Sequence, residues 1–328
     1  MKNILSLFII QFAITTSLFS QRLIEVNYAQ DTKGNITFSC TNRAYCTYVV
    51  LVGFTTLENA SADHTLPYEA EIRPGTSKLF TLKKTSQTDP IQIRYKTTYH
   101  KGCLQPAVNT DFTYLLPIAP GKSAQAYIID NSTGNGSGTV GSGSSATVSG
   151  AAAAGSAPGS AGATGSATGA AGSTYTGSYG IRLRMHPGDT IYAARRGIIS
   201  DIDVSSSLND AGTNSTEGWN YIEIFQADCS FAKYGILKKD GAFVKPGQSV
   251  EAGTPLGIIG GDKFGRGSDL RFDVSYFHDN TNTTIPLQFW TKKNGKGMLK
   301  QGVTYTSEHT AILIAQEKPK TSTPRRHR

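Results

Sequence analysis

Short runs of alternating apolar and polar residues fill positions 21–128. Asn35 to Cys40 is one such run, and Cys46 to Phe54 is a more strongly apolar one. Tyr68 to Ile72, Lys78 to Leu82 and Ile91 to Thr98 follow. Arg73-Pro74-Gly75-Thr76 and Thr88-Asp89-Pro90 are turn signals between them. No stretch sustains a helical period, so the pattern predicts a small β-sandwich over residues 21–130. Nothing in this part looks catalytic, and His64 and His100 are expected on its surface.

The pattern vanishes over residues 131–178, which are almost entirely Gly, Ser, Ala and Thr. Such a composition cannot bury enough apolar surface to offset chain entropy, which predicts a disordered linker. A coil of about 45 residues would average roughly 35–40 Å from end to end.

β patterning returns over residues 179–315. Thr190 to Ile202, Tyr221 to Phe225 and Phe231 to Leu237 read as strands, with a turn at Gln226 to Cys229. From Leu270 to Phe277, Leu270, Phe272 and Val274 alternate with Arg271 and Asp273, which sets one group inward and the other outward. The expected fold is therefore all-β: a β-sandwich-like N-terminal domain, the linker, and a C-terminal domain built on a mostly antiparallel sheet.

The ends add processing and charge. Lys2 followed by a mostly apolar Ile4 to Phe19 and then Ser20-Gln21 reads as a secretory signal over residues 1–20, with an uncleaved membrane anchor as the alternative. After its removal no stretch is apolar enough to span a bilayer, so an exported protein is expected, in a periplasm, on a cell surface or outside the cell. Residues 316–328 form a basic tail expected to be disordered. The net charge of +8 favours anionic surfaces, and no motif points to nucleic acid. Export permits disulfides among the four cysteines. Cys40 could pair with Cys46 across a short turn, or Cys103 with either, leaving Cys229 as an exposed thiol at a hairpin tip.

Several short motifs recur in order. They are Tyr179-Gly180-Ile181-Arg182-Leu183, Tyr192-Ala193-Ala194-Arg195-Arg196-Gly197-Ile198-Ile199, Tyr234-Gly235-Ile236-Leu237, the glycine-punctuated run from Val244 to Gly260, and Asp269-Leu270-Arg271-Phe272. Their spacing resembles the LytM/lysostaphin-type peptidoglycan endopeptidases, strictly over residues 179–289 and loosely from Tyr114 to Tyr305. The glycine run fits a tight meander in which glycines take positive φ at the corners.

That resemblance implies a zinc site, with ligands and catalytic histidines from a GxD-like element, a YxHL element and an HxH element. The matching positions here hold Arg182, Ile236, and Asp269 with Arg271. No histidine lies between His100 and His186 to serve as the early ligand. Arginine cannot ligate a metal. One guanidinium about 4 Å from a divalent ion is repelled by on the order of 8 kcal/mol at an effective dielectric of about 20. The expectation is thus a member without zinc or other cofactor, with Asp269 pairing with Arg182 or Arg271. Relatives of this kind imply a binding, scaffolding or hydrolase-regulating role in the cell envelope. The partner would be peptidoglycan, another anionic polymer or an envelope protein such as a wall hydrolase. Three other readings compete: an active zinc endopeptidase with relocated ligands (His186 and His278 being the spare histidines), a structural or adhesive surface protein, and a carrier domain modified at Lys263.

Overall fold

The computed structural model describes residues 22–130, 146–153, 179–206, 220–260, 268–278, 281–291 and 293–309. The expected signal and basic tail, and most of the expected linker, lie outside them. All regular elements among these residues are strands.

The first half contains β1 (Ile24–Gln30), β2 (Ile36–Asn42), β3 (Tyr48–Glu58), β4 (Ala60–Ala62), β5 (Tyr68–Ile72), β6 (Gly75–Lys84) and β7 (Gln92–Lys101). They form two facing sheets, ordered β1-β2-β6-β4 and, in the second, β7-β3-β5. The alternation that predicted them is visible in burial: Ile36, Phe38 and Cys40 point inward from β2 while Thr37, Ser39 and Thr41 are only partly covered. Phe38 stacks on Phe80 at 4.7 Å and meets Tyr95 edge-on at 5.2 Å, which knits the two sheets together. The predicted sandwich is therefore present, with strands that run a few residues beyond the sequence estimate.

The remaining strands are β8 (Thr113–Tyr114), β9 (Ser123–Asp130), β10 (Ala146–Ala153), β11 (Tyr179–Met185), β12 (Thr190–Tyr192), β13 (Gly197–Asp203) and β14 (Tyr221–Phe225). β15 (Phe231–Gly235), β16 (Leu237–Ala242), β17 (Ser249–Val250), β18 (Pro255–Ile259) and β19 (Ser268–His278) follow. β20 (Thr281–Thr284), β21 (Gln288–Thr291), β22 (Gly295–Gly297) and β23 (Thr304–Thr306) complete the set. The main sheet runs β17-β13-β14-β15-β19-β11-β9-β23, with β20 on the far part of β19. Two small sheets, β12-β18-β16 and β22-β21-β8, cover its inner face. Leu270, Phe272 and Val274 of β19 are fully buried there with Ile181, Leu183, Ile222, Ile224 and Tyr234.

Two expected boundaries change. Residues 113–130, assigned to the N-terminal domain from sequence, belong to the second core: β9 pairs with β11 and β23, and Tyr114 and Leu116 pack beside Phe272 and Phe289. The alternating pattern continues to residue 128, and only long-range pairing separates the two domains. β10 lies within the segment expected to be a disordered linker, yet it runs antiparallel along β7 from Ala146↔Tyr99 to Ala153↔Gln92. An edge strand needs only backbone donors and acceptors from its new neighbour, so poor apolar content does not prevent the pairing.

Two expected strands are each broken in two. Thr190 to Ile202 divides into β12 and β13, and Phe231 to Leu237 divides at Ile236, which has φ of 71°. In the glycine run, Gly247 and Gly253 do take positive φ. Gly257 and Gly260 are needed for a different reason. A Cβ on either would stand 2.7 Å from a carbonyl oxygen, Gly241 O and Leu237 O respectively.

Candidate functional site

The outer face of the main sheet carries the charged residues that the inner face excludes. One row crosses the strands as Asp201↔Glu223, Glu223↔Lys233 and Lys233↔Asp273. The next row crosses as Tyr221↔Gly235, Gly235↔Arg271, Arg271↔Arg182 and Arg182↔Tyr127. A third begins with Asp269↔Arg184. Alternation along β11 and β19 places every second side chain on this face.

Three of the four sequence-predicted positions meet here. Arg182 and Arg271 are directly opposed, and Arg182 Nη1 stands 3.9 Å from Asp269 Oδ2. The second guanidinium beside Asp269 is that of Arg184, with Nε 3.8 Å from Oδ1, rather than that of Arg271. Tyr127 lies beneath both exposed arginines, 5.6 Å from the Arg182 guanidinium and 5.1 Å from that of Arg184. Burial lowers the pKa of Arg271, with Asp273 opposing and Arg182 reinforcing the shift. Burial also raises the Asp273 carboxyl to about 6, against the pull of Lys233 and Arg271.

The fourth position behaves differently. Ile236 turns into the inner core in the left-handed region of backbone space, a costly conformation for a β-branched residue. Its neighbour Tyr234 has a structural duty: its hydroxyl accepts a hydrogen bond of 2.8 Å from the Ala194 amide and so ties two of the sequence motifs together.

The N-terminal sandwich reaches onto the same face. Lys101, the last residue of β7, donates a 2.8 Å hydrogen bond to Glu223 Oε1 and lies 3.5 Å from Asp201 Oδ2. Ser200 Oγ also donates to Glu223, and the Tyr221 hydroxyl donates to Asp201 Oδ2 at 2.8 Å. Burial alone would push the Lys101 pKa down, but Glu223 and Asp201 carry it above the ordinary lysine range. Glu223 shifts the opposite way: burial is outweighed by Lys101 and Ser200, which hold its carboxyl below the usual value.

Cysteine pairing differs from expectation. Cys103 is bonded to Cys229, and Cys40 and Cys46 are both free thiols buried in the sandwich core. Pairing across 126 positions was invisible in local spacing. Beside the disulfide, Arg195 donates to Asp228 at 2.7 Å, Asp228 accepts from the Asn109 amide, and Phe231 enters the sandwich core. His100, expected on the surface, is partly buried 3.8 Å from the Phe277 ring, and burial lowers its pKa. His64 is exposed as expected, and His186 is almost wholly exposed on a turn beside Asp189.

This donor set does not fit zinc. Among the described residues, the charged groups on the face around positions 182, 269 and 271 are two carboxylates set among three guanidiniums and an ammonium. No group of three or more His, Cys, Asp or Glu side chains placed to hold a metal occurs among the described residues.

Residues 176–283 match peptidase family M23. This stretch is an M23 domain. The match covers β11 to β19 of the main sheet, and β9 and β23 extend the M23 sheet beyond it. A solved structure of Helicobacter pylori Csd3 aligns with 84% of this chain and 77% of its own at 11% identity. The TM-score is 0.28, too low to carry any structural argument. No curated protein matches the chain. The M23 match gives residues 176–283, and those residues alone, a peptidase-family domain.

Lys101, Tyr127, Arg184, Glu223 and Lys233 were not singled out from the sequence. Alternation along β11 and β15 contained the signal for Arg184 and Lys233 once the strand was aligned. Lys101 and Tyr127 arrive from distant segments and left no local sign.

Proposed function

We propose that this protein is a non-catalytic M23-type protein of the cell envelope that binds wall peptides through the outer face of its main sheet. The supporting observation is the directly opposed pair Arg182 and Arg271 on the metal-bearing face of an M23 framework. Two cations in that place oppose a divalent ion and attract an anionic or carboxylate-bearing ligand. The retained sheet, meander and glycines keep the groove's framework while the chemistry of its floor has changed.

Export fits the same reading. The Cys103–Cys229 disulfide is chemistry of an oxidising compartment, in line with the signal-like start of the sequence. No helix among the described residues is long and apolar enough to cross a membrane.

The test is sedimentation of the full chain with purified peptidoglycan, alongside release of peptide fragments after incubation with zinc. The reading expects co-sedimentation and no release. Zinc-dependent release would replace it with the relocated-ligand peptidase. Neither sedimentation nor release would leave a structural surface protein or a protein-binding scaffold.

A further inference from the structure

The geometry points to a carboxylate-binding site formed by Arg182 and Arg184, with Asp269 as the acceptor for the ligand's own peptide N–H; the ligand class is the free C-terminus of a peptide. This inference rests on the wall-binding reading and names the group recognised.

Three observations carry it. First, the two guanidiniums are underused. Each is nearly half exposed, at 44% and 47%, and neither donates a hydrogen bond to a protein acceptor among the described residues. Their separations from Asp269, 3.9 and 3.8 Å, are too long for direct hydrogen bonds. Arginine presents a planar fork that matches a carboxylate with two parallel hydrogen bonds, so two adjacent forks make a strong anion site.

Second, the forks are held in place. Both guanidiniums lie near the one Tyr127 ring, which limits their freedom before a ligand arrives. Arg271, opposite Arg182, keeps the local charge positive despite Asp269, and like charges paired directly across strands are unfavourable without a counter-anion.

Third, Asp269 distinguishes a peptide end from a simple anion. Its Oδ1 is buried and has no hydrogen-bond partner among the described residues. An unmet buried acceptor is costly, and a turn of the carboxylate, whose side chain is 20% exposed, would present it to a donor on the ligand. Sulfate offers no hydrogen-bond donor, and the doubly charged form of phosphate adds charge beside that carboxylate. A terminal peptide residue offers a carboxylate for the arginines and an amide N–H for Asp269, only a few bonds apart.

The experiment uses the full chain and two probes, N-acetyl-Lys-D-Ala-D-Ala and the same peptide as its C-terminal amide, titrated by calorimetry at moderate salt. Inorganic phosphate serves as the competitor. The site predicts that the acid binds and the amide binds at least about tenfold more weakly, the loss of a charge-assisted contact. Arg182→Gln and Arg184→Gln should each weaken the acid at least about tenfold and bring it towards the amide. Their exposure makes loss of folding no obstacle, and unchanged thermal midpoints check this. Equal binding of acid and amide, or acid binding untouched by both substitutions, would overturn the site. So would phosphate displacing the acid as effectively as the acid peptide itself does. Failure with both peptides while peptidoglycan still co-sediments overturns the carboxylate site alone; loss of co-sedimentation as well overturns the wall-binding reading beneath it.

Discussion

Lys101 joins the two halves of the molecule through one ammonium held by two carboxylates. Removing one partner of a buried pair leaves the other charge stranded, at about 3–5 kcal/mol. Lys101→Met should therefore lower the denaturation free energy by roughly that amount, and adding Glu223→Met should recover part of it, as a double-mutant cycle in urea would read. A Lys101→Met protein as stable as the parent would show that the contact contributes nothing. Asp273 gives a pH-dependent counterpart. Its folded pKa, raised to about 6, means that the neutral acid favours the fold. Its contribution is complete below the ordinary carboxylate range and is lost as pH rises from about 4 to about 6. Asp273→Asn stays neutral, so its stability relative to the parent should rise across that window, by on the order of 2 kcal/mol given the residue's partial exposure. A pH-independent difference would contradict the assignment. At this scale the sequence revealed Arg271 and Asp273 on one face, because strand alternation is local. It hid Lys101, whose partner lies 122 positions away.

The strands show why some elements were legible and others were not. Tyr68–Ile72 and Tyr221–Phe225 stand where the sequence placed them, because turn residues bound short apolar runs on both sides. β12 and β13 were merged because Ala193 to Arg196 carries no Gly or Pro to mark the break. Ile236 interrupts β15 and β16 against its own propensity, a tertiary demand with no sequence sign. β9 was assigned to the wrong domain because pairing partner is a long-range property, and β10 was read as linker because its Gly, Ser, Ala and Thr composition carries no strand pattern. The Cys103–Cys229 bond belongs to this scale too, since it fixes the segment after β7 to the β14–β15 turn. A loop of 126 positions gives a chain-entropy ceiling of about 5 kcal/mol. Cys103→Ser and Cys229→Ser should each lower the thermal midpoint, and the double substitution should do no further harm. Additive losses would mean that the cysteines act separately.

At the scale of the whole molecule, a sandwich and an M23 domain share a buried ion cluster, a disulfide and a joint aromatic contact, so the first half is fastened onto the end of the sheet face it borders. The framework was readable in the sequence as spaced motifs, and the residues at positions 182, 236, 269 and 271 were read there as replacements of the ligands that the resemblance implies. The arginine pair's register and the tyrosine beneath it were not, because both depend on which strands become neighbours. The proposed function requires that this M23 face hold cations where a metal would bind. The direct measurement is equilibrium dialysis of the full chain against zinc, with metal quantified per chain. Substoichiometric zinc, unchanged by Asp269→Ala, is the expected result. One equivalent of tightly held zinc that disappears in Asp269→Ala would contradict it.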